Sequence, residues 1–226
     1  TAADAYTYGQ VGGNTTVTVN GGVISRGVYG GGAGIASVKV DAEGNVLADQ
    51  KADGTYRDFT NIARVLGKTD VTIDGYTTGI LVFGAVYGGG DVANVGIASG
   101  GDATAVTTKE HPVYPVNPGD PITGFTAPQA NVTIQGGVVY GEIFGGGYGR
   151  TIDVCSNYQN LGAVYGNTRV TLKNSNYTQE EADLENAAHE GMGDWTTVTT
   201  SYEKKPWTWA RIYGGGSYGK IYGNTD

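Results

Sequence analysis

The residues able to do chemistry in this chain are few and scattered. His111 and His189 are the two histidines. They fall in different stretches, and neither sits in a His-Glu-x-x-His or Cys-x-x-Cys context, so no zinc site is expected. Cys155 is the one cysteine. It cannot form an internal disulfide and reads as a small buried hydrophobe. Ser156 beside it has no evident base, and no Gly-x-Ser-x-Gly elbow occurs. Asp70, Asp74, Glu142 and Asp153, with Arg150 and Arg211, are the charged candidates for polysaccharide cleavage, which uses paired carboxylates or a basic residue. They form no Asp-Asp or Asp-x-x-Asp cluster. Solvated strand edges explain them more simply, so no catalytic residue is assigned.

The aromatic residues offer a better site. Trp195, Tyr202, Trp207 and Trp209 lie together near the C-terminal end and include all three tryptophans. Such rings present a flat apolar face with a polar rim, suited to sugar rings or to a protein hot spot. These four are the candidate ligand-binding residues. The alternative for Trp207 and Trp209 is that they pack a nearby helix on the body of the fold.

Triple glycines carry two further chemical possibilities. They occur at Gly30-Gly31-Gly32, Gly88-Gly89-Gly90, Gly145-Gly146-Gly147 and Gly214-Gly215-Gly216, each after Val-Tyr, Ile-Phe or Ile-Tyr. A phosphate cradle needs a following helix and lysine, and neither follows any copy. A calcium roll needs Gly-Gly-x-Gly-x-Asp in register. Gly89-Gly90-Asp91 has its aspartate too early, and Gly146-Gly147-Tyr148-Gly149-Arg150-Thr151-Ile152-Asp153 has it too late. No cofactor is expected; the composition leaves room only for an adventitious Ca²⁺ on an acidic loop near Asp102 or Asp120. The glycines read instead as repeated corners, where the backbone turns sharply.

What leads into these corners also repeats. Val17-Thr18-Val19, Val71-Thr72-Ile73, Val132-Thr133-Ile134 and Val170-Thr171-Leu172 alternate apolar and polar residues, the period of a strand with one buried face. Asn20-Gly21-Gly22 and Gln135-Gly136-Gly137 supply turns that tolerate positive φ. Units therefore start near residues 14, 68, 129 and 167. Inserts occupy 41–66, 98–128 and 174–209. The first could hold a short helix between Tyr56 and Leu66. The second, rich in Gly, Ser and Pro, reads as an extended loop. The third contains the capping box Thr178-Gln179-Glu180-Glu181 and a helix over about 179–190, with Gly191 as its stop.

Identical residue types at equivalent places are what parallel stacking of repeats requires. The pattern predicts an all-β chain, a right-handed parallel β-helix with loop insertions and one short helix, forming one domain over 1–226. A shorter beat at Val139-Tyr140-Gly141, Val164-Tyr165-Gly166 and Ile221-Tyr222-Gly223 suggests two coil turns per long unit. Tyr29, Tyr87, Tyr140, Tyr165, Tyr213 and Tyr222 are expected to stack as one ladder at a corner.

The net charge of −8 argues against nucleic acid and anionic membrane surfaces, which need a basic footprint. No apolar run approaches the roughly 20 residues of a membrane-spanning helix, so no membrane insertion is expected. No charged n-region and apolar h-region mark a signal peptide. Ile221-Tyr222-Gly223-Asn224-Thr225-Asp226 copies Val164-Tyr165-Gly166-Asn167-Thr168-Arg169, which opens a unit. The chain is therefore expected to be a fragment of a larger protein.

The run Asn14-Thr15-Thr16-Val17-Thr18-Val19-Asn20-Gly21-Gly22 through Val28-Tyr29-Gly30-Gly31-Gly32, with its partial copies, resembles the Gly-rich β-helix repeat regions of bacterial secreted and surface-anchored adhesin-like proteins, in the pectate-lyase-like superfamily. The resemblance implies a non-catalytic structural or adhesin-like module at the cell surface or outside the cell. Its partners would be glycan or host or bacterial surface protein, engaged through the inserts. The alternatives are a polysaccharide lyase or glycoside hydrolase, and a filament subunit that associates end to end.

Overall fold

A computed structural model describes residues 9–34, 39–40, 46–47, 62–96, 128–149, 162–221 and 223–226. The first unit comprises β1 (Thr15–Val19), β2 (Gly22–Ile24) and β3 (Val28–Tyr29). A small antiparallel pair follows, β4 (Lys39–Val40) with β5 (Val46–Leu47). The second unit is β6 (Thr69–Ile73), β7 (Ile80–Val82) and β8 (Val86–Tyr87); the third is β9 (Pro128–Ile134), β10 (Val138–Val139) and β11 (Ile143–Phe144). The fourth opens with β12 (Asn167–Leu172). An insert then carries β13 (Ser175–Asn176), helix α1 (Gln179–Ala188) and β14 (Glu203–Lys204), before β15 (Trp207–Thr208) and β16 (Ile212–Tyr213) complete the unit.

Each unit gives one strand to each of three parallel four-stranded sheets. The first sheet runs β1-β6-β9-β12, the second β2-β7-β10-β15 and the third β3-β8-β11-β16. Register is residue on residue: Val17, Val71, Val132 and Val170 align, as do Thr18, Thr72, Thr133 and Thr171. The valines and isoleucines face inward, and Val71, Ile73, Val132 and Ile134 are fully buried with Ile80, Val82, Val86, Val139 and Ile143. Branched side chains stacked on their own kind keep their rotamers and fill the interior without voids. The shorter Tyr-Gly beat does not add a second turn. Val164 and Ile221 belong to a separate column of single bridges, Val11–Val65–Val95–Val164–Ile221, within the same succession of units.

The triple glycines are not left-handed corners. None of them is among the glycines with positive φ, whereas Gly22 at +93°, the first residue of β2, and Gly137 at +74°, just before β10, are. The triple glycines stack directly on one another. Gly31 donates to the Gly89 carbonyl at 3.1 Å, and Gly89 to that of Gly146 at 3.0 Å. A Cβ on Gly31 would lie 2.8 Å from the Gly90 Cα, and one on Gly89 2.6 Å from the Gly147 nitrogen. Absence of a side chain, rather than freedom of φ, is what these positions need. Inward threonines tie the first sheet to these stacks. Thr15, Thr69 and Thr168 donate to the carbonyls of Gly30, Gly88 and Gly214 at 2.5–2.6 Å. Ala130 takes the same place in the third unit.

Helix α1 begins as its sequence dictates. Thr178 accepts from the Glu181 amide while the Glu181 carboxylate accepts from the Thr178 amide, so both halves of the capping box are made. The helix ends at Ala188 with His189 as its cap, and Gly191 follows at φ +83°. Most of the two earlier inserts lies outside the described residues; of the stretch from Tyr56 to Leu66 read as a short helix, 62–66 is described and forms a turn and the Val65 bridge instead of helix, and Pro128 already belongs to β9.

Candidate binding face of the second sheet

The second sheet turns one face inward, through Ile24, Val82, Val139 and Thr208, and one outward. Two outward columns result. One is Val23, Leu81, Val138 and Trp207. The other is Ser25, Phe83, Tyr140 and Trp209, placed by the amides of Phe83, Tyr140 and Trp209, which donate to the carbonyls of Ile24, Val82 and Val139. Neither column contains a charged residue.

Rings stack along the second column. Phe83 and Tyr140 have centroids 5.0 Å apart at 8°, and Tyr140 and Trp209 6.5 Å apart at 8°. The 5.0 Å separation matches the spacing of adjacent strands. Phe83 is 51% exposed, Tyr140 42% and Trp209 69%, with Trp207 beside them at 55%. Contiguous apolar strips open to water are uncommon on folded proteins, which makes this face the candidate interaction surface.

The third sheet carries a second ladder with the opposite character. Tyr29, Tyr87, Phe144 and Tyr213 stack at 4.8, 4.9 and 5.0 Å. Tyr87 and Phe144 are buried, and Tyr148 closes on Tyr87 edge-on at 5.9 Å. Burial, with the neighbouring Tyr29, pushes the Tyr87 hydroxyl up to about 12, against a hydrogen bond from Ser217 that works the other way. The single tyrosine ladder expected from sequence is therefore two. Tyr29, Tyr87 and Tyr213 share one with Phe144; Tyr140 belongs to the open one; Tyr165 is buried elsewhere over Arg64; Tyr222 lies outside the described residues.

Of the four candidate ligand-binding residues, the structure brings Trp207 and Trp209 together on the open face. Trp195 is engaged within the insert. Its ring lies 3.6 Å from that of His189 at 3°, and its Nε1 donates to Asn186 Oδ1 at 3.2 Å. Tyr202 is exposed in the turn before β14, where its carbonyl accepts from the Tyr177 amide. Sequence reasoning missed Phe83 and Tyr140. Their signal was available: each stands one residue beyond an apolar strand triplet or pair, at the place Trp209 takes in the fourth unit.

Trp207 and Trp209 do not hold the helix down. Other side chains do. Tyr177 and Ala182 are buried, and the Tyr177 hydroxyl meets Thr77 Oγ1 at 3.0 Å. The buried Glu185 accepts from the Thr78 amide at 3.2 Å and hydroxyl at 3.3 Å. Lys204, its side chain 3% exposed, donates to Asp74 Oδ1 and Glu181 Oε1, both at 2.7 Å. Burial, the largest influence on Lys204, opposes its charge. The hydrogen bonds that its ammonium donates to the two carboxylates, and their negative charge, together outweigh that and hold its pKa above the ordinary lysine value.

The remaining carboxylates on the first sheet are similarly engaged. Asp70 accepts from Asn131 at 2.8 Å and pairs with Lys68 at 3.1 Å; Asp74 also accepts from Gln135 at 2.6 Å. Among the described residues no group of three or more His, Cys, Asp or Glu could hold a metal ion. His111, Arg150, Asp153, Cys155 and Ser156 lie outside the described residues. Comparison with protein-family models, curated proteins and solved structures finds no match to this chain.

Proposed function

We propose that this chain is a non-catalytic module of an extracellular or cell-surface protein, adhesin-like in kind, and that the outward face of its second sheet binds glycan. The exposed stack Phe83–Tyr140–Trp209 is the observation that carries this reading. Its rings place an indole N–H and a phenolic O–H at the rim of an apolar strip, the mixture that sugars require. The two columns are uncharged and the chain is acidic overall, which favours a neutral polysaccharide over an anionic one. The architecture that presents this face is a right-handed parallel β-helix, one coil to each unit. The residue-on-residue register of four units across three parallel sheets supports that geometry.

The test is a glycan array read alongside a polysaccharide-degradation assay on the full chain. Binding of neutral glycans without release of products is expected, and Trp209→Ala weakens it about tenfold or more, as loss of an exposed aromatic anchor does. Release of oligosaccharide products would show an enzyme instead. Binding that survives Trp209→Ala and Tyr140→Ala unchanged would move the site elsewhere.

A further inference from the structure

The strand that carries both exposed tryptophans reaches its sheet by an unusual route. In the first three units the connection from the first sheet to the second is short: residues 20–21, 74–79 and 135–137. In the fourth it is 173–206, the whole α1 insert. A long flexible connection costs closure entropy and leaves the strand after it free to fray. β15 is two residues long and pairs only with β10 among the described strands, through the Trp207 amide to the Gly137 carbonyl at 3.1 Å and the Trp209 amide to that of Val139 at 3.0 Å. Beyond these two hydrogen bonds, the Trp209 ring stacks on Tyr140.

The insert cancels this by closing on itself at its base. β13 pairs antiparallel with β14, Ser175 opposite Lys204, so the two ends of the excursion meet. Both ends are then fixed to the preceding units. Ser175 donates to the Gln135 carbonyl at 2.8 Å, and Lys204 reaches Asp74 across 130 residues of sequence. Asp74 and Gln135 lie in the corresponding corners of the second and third units and are bonded to each other. Lys204 stands three residues before Trp207.

We propose that Lys204, held by Asp74 and Glu181, is a positioning residue for the glycan-binding face: it pins the insert so that Trp207 and Trp209 enter the second sheet in register. The inference rests on the proposed role of that face for its meaning, though not for its test. Glu181 serves two structures with its two oxygens, capping α1 through Oε2 and meeting Lys204 through Oε1. Folding of the helix and seating of the tryptophan strand are thereby joined in one carboxylate. Asp74 likewise joins the seating of the strand to the corner that the second and third units share.

Hydrogen exchange read by mass spectrometry on the full chain tests the pin without any ligand. In Lys204→Met, exchange at the Trp207 and Trp209 amides should rise roughly tenfold or more, while β6 and β9 keep their protection. Asp74→Asn should act in the same direction, and Lys204→Arg, which keeps the cation and can reach both carboxylates, should retain most of the protection. Acrylamide quenching of tryptophan fluorescence should increase in Lys204→Met and little in Lys204→Arg. Unchanged exchange at 207 and 209 in both Lys204→Met and Asp74→Asn overturns the pin. Equal loss of protection in β6 and β9 also overturns it, because the cluster would then serve the fold at large. Failure of the wild-type chain to bind any neutral glycan would sink the proposed function and leave the exchange result standing.

Discussion

Tyr87 and Tyr140 each lie between two near-parallel aromatic rings, at 4.8 and 4.9 Å and at 5.0 and 6.5 Å respectively, and differ in their access to water. Tyr87 is covered and its hydroxyl is held up to about 12, chiefly by burial. A raised folded value means that the neutral phenol contributes stability in full below the unfolded tyrosine value of roughly 10, and that this contribution disappears as pH rises through about 12. Tyr87→Phe, a ring already accommodated at Phe144 in the next unit, should fold as well at neutral pH and show a shallower loss of thermal stability between those pH values. An unaltered alkaline profile would show that Tyr87 does not carry the effect. Tyr140 is a surface residue, so Tyr140→Ala should change stability by no more than about 0.5 kcal/mol while weakening glycan binding. Trp195→Ala should leave binding intact, because that ring is engaged with His189 and Asn186. Both follow valine and precede glycine, Tyr87 before a triple glycine and Tyr140 before a single one. That difference places them at different points of the unit, but which ladder is covered is a tertiary matter.

At the scale of elements, the strands of the first sheet were legible because a one-sided strand must alternate, and Val-Thr-Val, Val-Thr-Ile or Val-Thr-Leu does so in the four units. Helix α1 was legible because its capping box is local chemistry. The role of the glycines was half legible. Repetition marked their place, but φ freedom and close approach leave the same letter in a sequence. The structure separates them and makes a contrast testable. Gly89→Ala forces a Cβ against the Gly147 backbone and should cost about 2 kcal/mol or more in chemical unfolding, in the range of overpacking. Gly215→Ala, at the same place in the fourth unit, meets nothing within 4 Å and should be nearly neutral. Equal costs would point to a conformational role for the glycines after all. The seating of the insert was not legible, because Asp74 of the second unit meets Lys204 of the fourth unit's insert across 130 residues of sequence. Its pH dependence follows from the raised Lys204 value, set against burial by the Asp74 and Glu181 carboxylates that accept from its ammonium, with Tyr177 in electrostatic reach. Seating should be complete below the ordinary lysine value of about 10.4 and be lost as pH rises through the higher folded one, visible as alkaline loss of exchange protection at 207–209.

For the whole molecule, like-on-like stacking gives β6 and β9 a paired strand on both sides and β1 one on a single side among the described residues. Val71, Ile73, Val132 and Ile134 are fully buried, whereas Val17, Val19 and Val170 are only partly so. Native-state exchange should accordingly be slowest in β6 and β9 and faster in β1. The same succession of units builds the open aromatic column, since a ring at one place in three consecutive units stacks without further design. Ser25 occupies that place in the first unit, so serine is compatible with the sheet there. This makes the triple variant Phe83→Ser, Tyr140→Ser, Trp209→Ser the most direct test of the glycan-binding face. Equilibrium binding of neutral polysaccharides should fall about a hundredfold or more relative to the wild-type chain, with thermal unfolding little changed. A folded triple variant that binds as tightly as the wild type would contradict the account.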